Sequence, residues 1–241
     1  MFSLETLNIK AHRLVESQSE IATVDLCETL EAQALLEELI EANKPAQPAT
    51  HHSLHYLLST PFRYPPLKWG SRFGSTSWPS LFYASLNADT MRWEAAYYRL
   101  LFYTGMRTPP TGPMRSFHTE FGVNIATPKG VRLEQSAFDE LREALRSKTS
   151  YAQTHKLGEA MRLAGVQAFT FESARDPSHG LNCALFTPEA FHPRCKKPTF
   201  TKAWTCETTA ESVLFLDQES RQVFTHQADV LKVDGVLPVA N

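Results

Sequence analysis

Arg72, Tyr83 and Glu94 follow one another at intervals of eleven residues. Arg72 stands between glycines in Gly70-Ser71-Arg72-Phe73-Gly74, Tyr83 ends a short apolar run, and Glu94 falls on the helical pattern that follows. A loop, a strand end and a helix can each bring one polar group to a common cleft. Arg63-Tyr64, placed before two prolines, adds a second cation and a second ring. Guanidinium groups grip a pyrophosphate bidentately. A tyrosine ring stacks on a flat base or donates to phosphate. A glutamate accepts from a ribose hydroxyl and stabilises positive charge growing on that ribose. The set suits a dinucleotide, although a surface arginine, a core tyrosine and a solvated helical glutamate fit the spacing at least as well.

A second polar segment lies far along the chain, from Phe171-Glu172-Ser173 through Arg175-Asp176-Pro177 to Gly180 and Asn182. It follows a strand-like run, so Ser173 falls at a strand end, where hydroxyls often meet a ligand phosphate or ribose. The competing reading is a plain Asp-Pro turn in which Asp176 and Asn182 hold backbone groups. The P-loop, the dinucleotide glycine fingerprint, the nucleophile elbow and the paired-histidine zinc motif are all missing from the sequence. His51, His52 and His55 cluster beside a linker without an acidic or cysteine neighbour, which favours surface histidines over a metal site.

These residues need elements to hold them. Residues 3–44 read as helical, with leucines at near-helical spacing from Ile21 to Ile40, ending in the linker-like Asn43-Lys44-Pro45-Ala46-Gln47-Pro48. The expected division is a helical extension over 1–45 and a main domain over 46–241. Phe62–Phe82 reads as strands joined by shaped loops, Leu81–Ala84 as a strand, and Asn87 or Asp89 as the cap of a helix stopping at Gly105. Ser116–Ala126 alternates like a strand whose inward residues are Phe117, Thr119, Phe121, Val123 and Ile125. Short helices follow at 138–145 and from Ser150 to Gly165. Strands are expected at 166–172, 182–186, 200–205, 212–216 and 222–225, with a hairpin turn at Asp217–Ser220. Irregular mixing of the two element types predicts an α+β fold.

Composition narrows the class. In 241 residues, 42% are hydrophobic and 11% aromatic, which supports a packed core without a metal or disulfide staple. A net charge of −2 with mixed signs argues against direct nucleic-acid binding. Cys27, Cys183, Cys195 and Cys206 form no paired motif and read as reduced. The first twenty residues lack a signal-peptide pattern, and no apolar run is long enough to span a bilayer, so a cytoplasmic protein without membrane contact is expected.

The two polar segments together resemble the RES domain family, named for an Arg, a Glu and a Ser. Its first motif is matched by Arg63-Tyr64, Gly70-Ser71-Arg72-Phe73, Phe82-Tyr83-Ala84-Ser85 and Glu94. Its late motif is matched by Ser173-Ala174-Arg175-Asp176-Pro177, Gly180, Asn182, Ala184 and Phe186, with one extra residue, Ser178 or His179, before the glycine. The resemblance covers roughly residues 50–200. It implies a fold like that of ADP-ribosyltransferase toxins, with an NAD cleft between two small twisted sheets flanked by helices. It also implies degradation of NAD by phosphorolysis or hydrolysis, with NAD as substrate, phosphate as a candidate co-substrate, and no resident cofactor or metal. A helix-turn-helix antitoxin would be the partner, and self-association stays open.

Carried onto this chain, the resemblance puts Glu94 on the nicotinamide ribose, Arg63 and Arg72 on pyrophosphate or phosphate, and Tyr64 and Tyr83 beside the nicotinamide. Ser173 would position a ribose or phosphate oxygen, and Asn182 would shape the loop. Two other readings remain: transfer of ADP-ribose to a protein, and a domain that binds a nucleotide or antitoxin without turnover.

Overall fold

Strand β3 (Met114–Arg132) organises the architecture because its two ends serve different neighbours. The computed structural model describes residues 2–17, 27–45, 53–66, 68, 70–108 and 110–239. In chain order the other elements are β1 (Glu5–Glu16), α1 (Leu30–Asn43), α2 (Tyr56–Arg63), β2 (Phe82–Ser85) and α3 (Ala88–Thr104), all preceding β3. After it come α4 (Arg142–Leu145), α5 (Ala152–Leu163), β4 (Ala168–Glu172), β5 (Leu181–Leu185), β6 (Thr201–Thr208), β7 (Ser212–Asp217), β8 (Val223–Gln227) and α6 (Ala228–Leu231).

Among the described residues, eight strands form one mixed sheet in the order β1-β2-β5-β4-β3-β6-β7-β8, with β1 also paired to β3. The α+β class holds, but the expected pair of sheets does not. The reason lies in β3, which is long enough to belong to both halves. Its first part, Met114–Phe121, pairs with β6, while Gly130–Arg132 runs parallel to β4. Its opposite edge carries β1 from Glu5↔Gly130 to Glu16↔His118. Because β1 also touches β2 at His12↔Ser85, strands β1, β2, β5, β4 and β3 close on themselves, and β6–β8 extend from the side.

The buried face of β3 changes along its length. Ser116, His118 and Glu120 are buried in its first part, whereas Phe121, Val123 and Ile125 are buried beyond it. Phe117, expected inside, is 46% exposed. The inner residues of the later part join Leu7, Ala11, Leu58 and Phe82 in one core cluster. The early part lies beside Trp204 and Cys206, which pack with Tyr97 and Leu100 of α3 in another. Period-2 burial thus survives on each side of residue 120, but no single phase runs through the strand.

The helical reading of residues 3–44 is overturned at its start, since residues 5–16 form β1. Leu7, Ile9 and Ala11 alternate with Asn8, Lys10 and His12, a strand period that pairing with β3 stabilises. Residues 18–26 and 46–50 of the expected helix and linker lie outside the described residues, as do His51 and His52. Helix α1 does form, capped by Thr29. The 62–82 stretch is mostly loop, with an isolated bridge between Ser71 and Gly74. Pro65, Pro66 and Pro79 lack the N–H that a ladder requires. Among the described residues no helix is long and apolar enough to cross a membrane, and no group of His, Cys, Asp and Glu could hold a metal ion. The four cysteines are unpaired, and burial pushes the Cys183 thiol up to about 12, which keeps it inert.

Candidate active site

Helix α3 carries Glu94 and is held firmly at both ends. Asn87 caps it by accepting from the Thr90 amide at 2.8 Å, and the Gly105 amide donates to Leu101 O at 3.0 Å. Its first turn is also tied to the loop after β4, where the Thr90 hydroxyl donates to Asp176 Oδ2 at 2.7 Å. One turn further on, Ser173 Oγ donates to Glu94 Oε1 at 2.6 Å, and Asn182 Nδ2 donates to the same oxygen at 2.6 Å. Charge-assisted bonds of this kind are about twice as strong as neutral ones. Asn182 is itself fixed by Ser85 Oγ, which donates to its Oδ1 at 2.6 Å across the β2–β5 pair. Asn182, expected to shape the loop, is a residue of β5 and holds the carboxylate directly.

The loop after β4 folds around Ser173. Its hydroxyl accepts from the amides of Arg175 and Asp176, each at 3.0 Å. Asp176 then accepts from the amides of Ser178 and Gly180. His179, just before Gly180, adopts a left-handed φ of 53°. Gly180 must remain a glycine, since a Cβ there would stand 2.0 Å from Thr90 Oγ1.

Arg72 sits in a tight turn in which Ser71 and Gly74 exchange backbone hydrogen bonds at 2.7 and 3.1 Å. Gly70 enters it with φ of 74°, a conformation that suits glycine. Tyr83 secures the turn, its hydroxyl accepting from the Phe73 amide at 3.0 Å and bonding Ser71 Oγ at 2.9 Å. Burial pushes that phenol up to about 12, so it stays protonated. Arg72 is 8% exposed; its Nη1 donates to Leu145 O and Ser147 O, and its guanidinium lies 4.9 Å from the centre of the Tyr151 ring.

These parts surround a cavity of about 460 Å³, a size typical of small-molecule sites. Tyr64, Arg72, Tyr83, Glu94 and Asn182 line it. Ser173 reaches it through Glu94. Arg63 is engaged elsewhere, donating from Nε to Pro45 O and lying 3.7 Å from Glu41 Oε1.

Two lining arginines were not singled out from the sequence. Arg13 comes from β1, donates to Tyr83 O at 2.9 Å and lies 4.7 Å from the centre of the Phe82 ring. Desolvation lowers its pKa to about 10. Its available signal was the alternation of β1, which puts Arg13 in step with Leu7, Ile9 and Ala11. Arg175 had no signal beyond its place in the late motif. Its guanidinium stacks 3.6 Å from the centre of the Tyr97 ring.

An α+β protein whose half-open cavity is lined by one fixed carboxylate and three guanidinium groups has the form of a small-molecule site. A family model for the RES domain matches residues 46–207, and the chain belongs to the RES domain family. No curated protein matches the chain. The matched stretch begins after β1, so Arg13 and His12, which also lines the cavity, are contributed from outside it.

Proposed function

We propose that the protein degrades NAD by cleaving its nicotinamide–ribose bond, with phosphate or water as acceptor, and acts as the toxin of a toxin–antitoxin pair. The observation that carries this reading is the fixed Glu94 carboxylate, bonded through Oε1 to Ser173 and Asn182 inside a cavity also lined by Arg72 and Arg13.

The bond to be broken already bears a cationic leaving group. Its electron pair departs with the nicotinamide nitrogen, and the ribose carbon passes through an oxocarbenium-like state. The new bond forms to an oxygen of phosphate or water, and water gives up a proton to solvent. Little acid catalysis is required, so the chain's task is to orient the substrate and stabilise charge. With Oε1 taken by two donors, Glu94 Oε2 is the oxygen offered to a ribose hydroxyl and to the developing cation. Arg72 and Arg13 face the phosphates, and the Tyr64 and Tyr83 rings border the flat base. Arg63 serves this site indirectly, by anchoring the chain next to Tyr64. A helix-turn-helix antitoxin that fills the cleft is the proposed partner.

The test is incubation of the full chain with NAD, with and without inorganic phosphate, following released nicotinamide and the ADP-ribose product. Free ADP-ribose, or its phosphorylated form when phosphate is present, supports the reading. Label transferred to protein would make the chain an ADP-ribosyltransferase instead. Tight NAD binding with no product, or Glu94→Gln retaining full NAD consumption, would overturn it.

A further inference from the structure

Arg175 is 2% exposed, yet neither of its terminal nitrogens, Nη1 and Nη2, has a hydrogen-bond partner. Burying a guanidinium carries a large desolvation penalty, which the Tyr97 ring offsets only in part. Among the described residues, no other arginine buries both terminal nitrogens unpartnered. Neither neighbouring carboxylate bonds the terminal nitrogens of Arg175: Asp176 holds Thr90, Ser178 and Gly180, and Glu94 holds Ser173 and Asn182 through Oε1.

Arg175 also lines the cavity. Its lining holds three guanidinium groups, Arg13, Arg72 and Arg175, against one carboxylate, Glu94. Arg13 and Arg72 each spend a terminal nitrogen on main-chain carbonyls, whereas Arg175 spends neither. The loop is built to keep it there, because Ser173 Oγ holds the Arg175 amide while donating to Glu94. A carboxylate and an unsatisfied guanidinium are therefore positioned by the same hydroxyl.

We propose that Arg175 is the seat for a phosphoryl oxyanion bound beside Glu94. Two parallel N–H groups match two oxygens of a tetrahedral anion. The oxyanion belongs either to free phosphate or to the pyrophosphate of a dinucleotide. The proposal rests on the NAD-cleaving reading only for that second source, since binding of phosphate alone stands without turnover.

The experiment titrates the full chain with inorganic phosphate alone, and separately with NAD in phosphate-free buffer, using calorimetry at 25 °C. Arg175→Met keeps the apolar stem and removes the charge. Arg175→Lys keeps the charge and removes the fork. Arg175→Met is expected to weaken one of the two ligands at least tenfold, with a smaller loss in Arg175→Lys. The ligand affected identifies the source. If the methionine variant does not fold, the lysine variant alone decides, a threefold or greater loss being expected. Unchanged affinity for both ligands in either folded variant, or no binding of either ligand by the unsubstituted chain, would overturn the proposal. Anion binding that depends on Arg175 in a chain that leaves NAD intact would sustain the seat and remove the NAD-cleaving reading.

Discussion

Ser173 Oγ and Asn182 Nδ2 both end 2.6 Å from a single oxygen, Glu94 Oε1, although they lie 79 and 88 residues away from it in the chain. Two donors on one oxygen fix both the position and the rotation of the carboxylate. Removing one leaves it tethered but free to swing, and misplacement by about 1 Å costs about 100-fold in rate. Ser173→Ala and Asn182→Ala are each expected to lower kcat for NAD cleavage by about 10- to 100-fold with a smaller change in KM. Steady-state kinetics on the folded variants check this. An effect confined to KM would mean that the two donors shape binding and leave the carboxylate's placement untouched.

The hydroxyl of Tyr83 is a holder of the Arg72 turn, through the Phe73 amide and Ser71 Oγ. Tyr83→Phe strands a partly buried amide, at a cost of about 1–3 kcal/mol. The expected outcome is a lower denaturation midpoint together with weaker NAD binding, both read on the same preparation. Full stability with full affinity would show that the turn holds without this phenol.

Gly158 of α5 packs against that turn from the other side. A Cβ at 158 would stand 2.1 Å from Phe73 O, a backbone atom that cannot swing aside. Elsewhere in a helix, replacing glycine by alanine gains about 0.5–1 kcal/mol. Here overpacking is expected to outweigh that gain, so Gly158→Ala loses about 1–3 kcal/mol net, measured as a drop in the urea midpoint. His155, one turn earlier, bonds Ser71 O through Nε2 at 2.7 Å, so the displacement is transmitted to the residue next to Arg72.

Two buried histidines set an acid limit on stability. Burial first, and then Arg99, depresses His118 to about 4; burial, then Arg92, does the same to His226. In the unfolded chain both titrate near 6.5. The fold is therefore at full strength above pH 6.5. As pH falls from 6.5 toward 4 the unfolded state takes up protons that the folded state refuses. Each histidine then costs up to about 1.4 kcal/mol per pH unit. Urea midpoints from pH 7.5 to 5 should decline accordingly, and the double variant His118→Gln, His226→Gln should flatten the slope. An unchanged slope would place the acid sensitivity in other groups.

Resemblance to the RES domain, and not residue spacing, points to a shared hollow for Tyr64, Arg72, Tyr83, Glu94 and Asn182; the amino-acid sequence by itself determined the α+β class, the capped helix from Asn87 to Gly105 and the later strands. Those features rest on local chemistry: a cap, a terminal glycine, short alternating runs and loop residues with few alternatives. Only the tertiary structure decided the rest. Residues 5–16 have apolar side chains compatible with either period, and pairing with β3 chooses the strand, which delivers Arg13 to the cavity. Residue 120 marks the point where β3 exchanges one covered face for the other, so Phe117 is left outside. Arg63 is drawn to Pro45 and Glu41, and Arg175 is buried against Tyr97. Each of these outcomes depends on contacts between residues far apart in the chain, and local spacing carries no record of such contacts.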